Sequence, residues 1–411
     1  IEVNPVVVSA SRMEQPLSEV LSSVSVITRA DIDKSQAATL ADLLQGEAGF
    51  EFGRNGGPGT VTSFFLRGQN SSNVALMIDG VRVQSDSIGS LTQTDLPLSQ
   101  IERIEILRGS AGALYGDAAI GGVINVYTRR GKGQMTPYGS VSYGTYNTRH
   151  VSAGYGGELD GKSLDFNVGT TKSDGFSSMN KRQNTNTDPA DNGYSKNNAS
   201  LRFEDKLTQS LKLGVRVATA TSATSYDKND LNAYSLKTTN DTYSVYARQQ
   251  VNQFWFSTLD LAHAELKYED LKNASPYPAN SFTSSYLNGQ QNAIRWGNVY
   301  ELSKTHKASF GVDVLKDDYD TSGNNGYIIN RSTKGYYGGL TSVFDDLTLQ
   351  ANVRRDQIDI DYTAYGTLSN ARIGATSILL GAGYQLNSAW KLTGTTSTGF
   401  RAPTAYDIST N

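Results

Sequence analysis

From about residue 137 onward the chain is a succession of long segments in which apolar and polar residues alternate. Leu164, Phe166 and Val168 alternate with Asp165, Asn167 and Gly169, and Leu211, Leu213, Val215 and Val217 with Lys212, Gly214, Arg216 and Ala218. A period of two places one set of side chains on each face of an extended strand, so these segments read as strands with one apolar face. Several run well past the roughly 5–6 residues usual for globular sheets, residues 254–268 and 371–386 among them. Short connections at 156–161, 204–210, 250–252, 303–307, 345–346 and 387–389 alternate with long polar stretches at 171–196, 222–240, 269–290, 316–334 and 355–371. Tight turns at one end and long loops at the other are the plan of a transmembrane antiparallel β-barrel, whereas a soluble sandwich has no reason to sort its connections by length.

Composition agrees with that plan. The mean hydropathy of -0.42 would suit a soluble protein, but a barrel keeps a low average because lipid-facing and lumen-facing residues alternate. No apolar run of about 18 residues offers a transmembrane helix or a signal peptide. The absence of Cys excludes thiol catalysis and Cys-ligated zinc, and a net charge of -3 gives no basic footprint for nucleic acid. About 13 strands are expected, the last ending near Arg401; bacterial barrels close with an even number, so part of the barrel is expected to lie outside this sequence. Tyr143, Tyr155, Phe203, Tyr246, Trp255, Tyr268, Trp296 and Tyr300 lie near strand ends and are candidates for the interfacial girdles.

Up to about Arg130 the texture is that of a mixed α/β domain. Residues 35–44 place Ala38, Leu40, Leu43 and Leu44 near helical spacing, and short strands are expected at 63–66, 74–78 and 101–107. Leu66-Arg67-Gly68, Ile78-Asp79-Gly80-Val81-Arg82 and residues 101–128 (IERIEILRGSAGALYGDAAIGGVINVYT) follow one another in this region. In order and spacing they resemble the plug domain of TonB-dependent outer-membrane transporters. Asn4-Pro5-Val6-Val7-Val8-Ser9-Ala10 looks like that family's energy-coupling segment, and Gly399-Phe400-Arg401-Ala402-Pro403 resembles a barrel motif common in it.

The resemblance implies a coupling segment at 1–10, an α/β plug at 11–135 and a partial β-barrel at 136–411, of a type with about 22 strands when complete, in the bacterial outer membrane. Pro5, Val6, Val7, Val8 and Ser9 would add as a strand to a TonB-type energy-coupling partner, as β-branched extended runs at an exposed terminus can. Arg67 and Arg108 each precede a glycine, and in the family such arginines meet barrel carboxylates and hold the plug.

The likeness is greatest to the cobalamin-transporting members. It implies ligand contacts at Asn55, Gly56 and Gly57 in one apical loop and at Gln84, Ser85, Ser87 and Ser90 in a second. Small polar residues there let backbone donors approach a large polar ligand. Those members also order their loops with calcium, which takes about 6–8 oxygen ligands. Asp188, Asp191, Tyr226, Asp227 and Asp241 are the candidate donors, although Ser177 and Ala190 stand where that pattern has carboxylates.

His150, His263 and His306 are scattered along the strands, which disfavours a haem or zinc ligand. No thiol, His–carboxylate motif or phosphate-binding loop supports catalysis, so no enzyme and no catalytic cofactor is expected. The reading is active uptake of a scarce ligand, cobalamin or a related corrinoid. The alternatives are uptake of a ferric siderophore or other metal chelate and, from another class, a surface receptor or adhesin.

Overall fold

The computed structural model describes residues 5–411, apart from 58, 61, 84–95, 181, 189, 229, 274–280, 323–325, 365–366, 405–406 and 408–411 and the side chains of 273 and 281–284. Thirteen strands from Thr136–Gly144 to Lys391–Ser397 form one sheet in which each pairs antiparallel with its neighbour in sequence. The strand Leu347–Ala364 shows why. Leu349, Ala351, Val353, Arg355 and Gln357 are exposed, while the intervening Gln350, Asn352, Arg354, Asp356 and Ile358 are buried. Val353 is 50% exposed and Asp356 0%, the inverse of a water-soluble sheet. The same outward face carries Phe166, Leu201, Val217, Val245, Leu261, Ile294, Phe310 and Leu340 on other strands, and the buried one carries Asn167, Arg202, Arg216 and Arg354. A sheet that is apolar outside and polar inside is what a bilayer selects. No described helix is long and apolar enough to cross a membrane, which says nothing about crossing by strands.

The short connections fall within a few residues of where expected and 171–196 lies mostly between strands, but the other four long polar stretches are mostly strand. Leu211–Tyr226 and Ala233–Asn252 take up most of 222–240, and Leu347–Ala364 is followed directly by Thr367–Gln385 after residues 365–366. Past the bilayer both faces of the sheet meet water, so the ladder continues while the hydrophobic alternation that announces it stops. At the same end Tyr146 and Asn147, at φ 58° and 52°, close a tight turn between Thr136–Gly144 and Thr148–Leu159, one the sequence reading did not mark. Two girdle candidates also turn inward. Tyr246 is 7% exposed and donates to Glu204, and Tyr268 shares the face of buried Leu266.

The N-terminal domain is built on a mixed sheet with strand order Ser23–Thr28, Ile101–Arg108, Gly122–Thr128, Val74–Ile78, Val81–Arg82. Its core gathers Leu40, Leu44, Phe64, Ile104, Ile106 and Ile124. The expected helix is shorter, Leu40–Leu44, because Thr39 and Asp42 form a reciprocal capping box that starts it there. The same device, Thr28 with Asp31, starts a second helix at Arg29–Lys34. Gly122 lies at φ +155°, where a Cβ would stand 2.3 Å from the Leu107 carbonyl oxygen, so only glycine lets the two central strands meet.

Leu349, 40% exposed and three outward positions from Arg355 on the same strand, tests the inverted sheet. Leu349→Arg is expected to cost about 2–4 kcal/mol of folding stability in lipid vesicles, measured by reversible denaturant unfolding. A change below about 0.5 kcal/mol, as for an ordinary exposed position, would contradict the lipid-facing assignment.

Candidate functional site

The run expected to be the coupling segment is docked. Val6 and Val7 pair antiparallel with Pro16 and Gln15, and Val7 and Ser9 are fully buried while Val6 is 48% exposed. One carboxylate oxygen organises the turn that follows. Glu105 Oε2 accepts from Val8 N at 3.0 Å, Ser9 N at 2.9 Å and Ser9 Oγ at 2.7 Å, and Glu105 Oε1 accepts from Arg103 at 2.9 Å. Tyr115 Oη donates to the Ser9 carbonyl at 3.1 Å, and burial pushes the Tyr115 hydroxyl up to about 12, which keeps it a donor. Charge-assisted bonds from two backbone donors and a hydroxyl make a strong local hold, yet one confined to a single buried acceptor. The sequence reading placed this run at an exposed terminus; half of it is inside.

Among the described residues, ion pairs of Arg12, Asp79 and Asp117 anchor the plug to the inner face of the barrel, with Arg130 adding a longer contact to Glu204 at 3.7 Å, and none involves the arginines expected there. Arg12 makes a bidentate pair with Asp313 at 3.2 and 2.9 Å, its guanidinium between the Tyr115 and Tyr337 rings at 5.0 and 4.3 Å. Asp313 is shared with Arg354 at 2.6 Å and Arg295 at 3.4 Å. Asp117 pairs with Arg331 and accepts from Ala402 N at 2.7 Å. Asp79 lies at φ 51° in the turn after Val74–Ile78 and takes Arg202 at 2.5 Å and Arg216 at 3.3 Å, while Thr128 donates to it from both backbone and hydroxyl. Burial alone would raise the Asp79 and Asp117 carboxyls. The arginines, Arg202 and Arg216 for Asp79 and Arg331 and Arg82 for Asp117, outweigh it and hold both below the ordinary value of 3.8.

Arg108 instead pairs inside the plug with Glu47 at 2.8 Å, and it donates to Ser25 Oγ and the Ala48 carbonyl. Arg67 is exposed and makes no ion pair among the described residues; it lines a cleft of about 360 Å³ with Arg108 and Thr395–Ser397 of the last strand. The expected contact of Arg67 and Arg108 with barrel carboxylates is therefore replaced by Asp79, Asp117 and Arg12. The signal for these was present, since Asp79 and Asp117 lie within the quoted motifs and Arg202, Arg216 and Arg354 interrupt the strands with charge. What a single strand cannot reveal is which inward charge meets which plug residue.

At the far end of the barrel the apical loop packs under a barrel connection. A Cβ on Gly57 would stand 3.4 Å from the Phe176 ring, one on Gly56 3.4 Å from Ser178 Oγ, and one on Gly59 2.8 Å from the Tyr194 ring, with Asn55 exposed beside them. Gln84, Ser85, Ser87 and Ser90 lie outside the described residues. The candidate calcium donors do not form one set. Asp227 Oδ2 accepts from Ser177 Oγ at 2.6 Å and Asn192 Nδ2 at 2.7 Å, and its Oδ1 is buried without a partner. Tyr226 donates instead to Asp270 at 2.6 Å, Asp188 accepts from Ala190 N, and Asp191 is exposed. Asp241 shares the outward face of Tyr243 and Val245, away from the lumen. Among the described residues no three His, Asp or Glu side chains come together. The donor set does not fit a calcium ion as a unit; among the described candidates Asp227 is the one with a buried carboxylate oxygen left unpartnered.

Comparison with known proteins agrees with this architecture. Residues 16–123 match the family described as TonB-dependent receptor plug domain, and residues 248–411 the one described as TonB dependent receptor-like, beta-barrel. The chain is 30% identical over 422 residues to the vitamin B12 transporter of Vibrio vulnificus, covering 99% of this chain and 64% of that protein. To the vitamin B12 transporter of Vibrio cholerae it is 27% identical over 405 residues, 98% of this chain and 63% of that one. It thus spans a little under two thirds of these curated relatives. Among solved structures, the siderophore receptor of Acinetobacter baumannii aligns with a TM-score of 0.73 at 15% identity, covering 91% of this chain and 64% of that one. The alcaligin receptor of Bordetella pertussis aligns at 0.78 and 14%, covering 97% and 66%. At such identities the likeness speaks for the fold alone.

The depressed carboxyls set the sign of a pH effect. A carboxyl whose folded value lies below its unfolded one contributes stability that is fully present above the unfolded value. That contribution is lost as pH falls through the lower folded value. Plug attachment should therefore persist down to about 3.8 and fail only below it, read by proteolysis of residues 11–130 across pH. Asp79→Ala leaves Arg216 without an ion pair among the described residues and Arg202 with Glu204 at 3.6 Å, and should cost about 3–5 kcal/mol of docking at neutral pH, read by hydrogen exchange of Val74–Ile78. Loss of attachment already near pH 6 would contradict the assignment.

Proposed function

The chain belongs to the TonB-dependent receptor family, whose members are outer-membrane proteins and not enzymes, and on that premise we propose that it serves active uptake of a scarce, large ligand. The observation that carries this reading is the docked coupling segment. Glu105 holds Val8 and Ser9 in the plug, so Val7 has no free edge until that contact opens, while half-exposed Val6 offers first contact. Ligand binding at the mouth biases the plug toward release. A TonB-type energy-coupling protein then adds the freed segment to its own sheet edge and pulls.

The ligand on this reading is cobalamin or a related corrinoid. Support comes from sequence likeness along nearly the whole chain to proteins named as vitamin B12 transporters. Asn55, Gly56, Gly57, Gln84, Ser85, Ser87 and Ser90 are its plug contacts, and the packing of Gly57 under Phe176 joins that loop to the barrel connection above it. Calcium enters only as an optional neighbour of Asp227, and no step depends on it. A ferric chelate is the second reading, favoured by Lys228 and Lys272, which stand 4.1 and 5.6 Å from the Tyr234 ring near the mouth and suit an anionic complex.

Removal of residues 5–9 separates transport from surface attachment. Uptake of labelled cyanocobalamin should be abolished while its binding to whole cells is retained. Uptake that survives this deletion would overturn the coupling assignment, and saturable uptake of a ferric chelate with none of corrinoid would favour the second reading.

A further inference from the structure

We propose that the outward face of the four strands His306–Thr321, Tyr327–Phe344, Leu347–Ala364 and Thr367–Gln385 binds a phosphorylated, multiply acylated glycolipid through Lys316, Lys334, Arg355 and Arg372. This surface belongs to the barrel wall and is independent of the ligand transported. All four basic residues are exposed and share the face of the lipid-facing belt: Lys316 with Phe310, Lys334 with Tyr336 and Leu340, Arg355 with Val353, Arg372 with Ile378.

Strand register places them close together. Lys316 pairs with Ser332, Ser332 with Asp359 and Asp359 with Arg372, so Lys316 and Arg372 lie on one row across the four strands. Lys334 is opposite Gln357 and Arg355 opposite Tyr336, which puts them one and two outward positions nearer the belt. With strands about 4.8 Å apart, the row spans roughly 15 Å, the scale of a disaccharide headgroup. The acidic residues of the same face stand mainly farther out, Asp318 and Asp361 one step beyond the row and Asp320 two. The order from the membrane outward is therefore apolar belt, basic layer, acidic layer.

The donors are available. Lys316 and Lys334 have no hydrogen-bond or ion-pair partner among the described residues, Arg355 uses one nitrogen on Thr376 at 2.9 Å, and Arg372 uses Nε on Asp359 at 2.5 Å while its side chain stays 85% exposed. A cationic layer immediately above a hydrocarbon-facing belt matches a lipid whose phosphates sit directly above its acyl chains. The layer lies at the end of the barrel opposite the coupling segment, whose neighbours Ser18 and Glu19 accept from Lys391 beside a short turn. It therefore faces the outer leaflet, where the phosphorylated lipid is a glycolipid. Phe310, Val353 and Ile378 beneath supply the wall against which acyl chains pack.

The test uses the protein in detergent micelles, with diphosphoryl lipid A as probe and native mass spectrometry as readout. Wild type should retain the probe after a lipid-free wash, and K316Q/K334Q/R355Q/R372Q should lose it by on the order of tenfold or more. The charge-preserving K316R/K334R/R355K/R372K should stay near wild type, and intact heat-modifiable migration establishes that each variant is folded. Dephosphorylated lipid A should be retained no better by wild type than by the glutamine variant. Equal retention of diphosphoryl lipid A by the folded glutamine variant would overturn the proposal. So would retention of phosphatidylglycerol as strong as that of lipid A, which would show an unspecific anionic surface.

Discussion

Within a hydrocarbon layer every backbone N–H and C=O must find a partner in the protein, and the rest of this structure depends on that constraint. The thirteen strands meet it between neighbours by pairing in sequence order, while the outer edges of Thr136–Gly144 and Lys391–Ser397 have no strand partner among the described residues. Pairing fixes the side-chain period at two, and lipid then claims one face, so the polar residues have only the inner face to occupy. The inner face becomes a lattice of charges, Arg202, Arg216, Asp313, Arg331, Arg354 and Asp356 among them. Such charges are costly unless paired, and the plug supplies part of the pairing through Asp79, Asp117 and Arg12. The plug is thus a component of the barrel's electrostatic balance as well as a stopper.

The arrangement of those anchors along the chain bears on how force acts. Residues 5–9 hang on Glu105, Arg12 follows a few residues later on Asp313, and Ser23–Thr28 then forms the edge strand of the plug sheet. Asp79 and Asp117 come much later in sequence. A pull on the N-terminus therefore meets the Glu105 hold first, the Arg12 pair next and the edge strand after that, while the remaining plug stays tied to the barrel by its two carboxylates. Local release and global retention are assigned to different residues, as a domain that must rearrange without leaving its barrel requires.

Much of this was legible beforehand. Alternation in segments such as Leu211–Val217 announced the strands, and the tight turns and the sequence of glycine motifs announced barrel and plug. The polar strand ends beyond the bilayer were not legible, because water on both faces erases the alternation while leaving the ladder intact. Nor were the ionic anchors. Arg67 and Arg108 looked like the anchors because they precede glycines at strand ends, yet Arg108 is held by Glu47 within the plug, and the true partners are brought together only by register between distant strands. Glu105 was hidden in plain view within IERIEILRG, since nothing local distinguishes an inward carboxylate that holds the N-terminus from one that faces water.

The central claim is that the coupling segment is sequestered in the free protein and let go on ligand binding. Amide hydrogen exchange of Val8 and Ser9, in outer-membrane lipid with and without cobalamin, tests it most directly. Their amides both donate to Glu105, so the account predicts slow exchange comparable to Ile104 in the free protein and fast exchange when ligand is bound. Fast exchange at Val8 and Ser9 before ligand is added, or slow exchange unchanged by saturating ligand in a protein that transports it, would contradict the account.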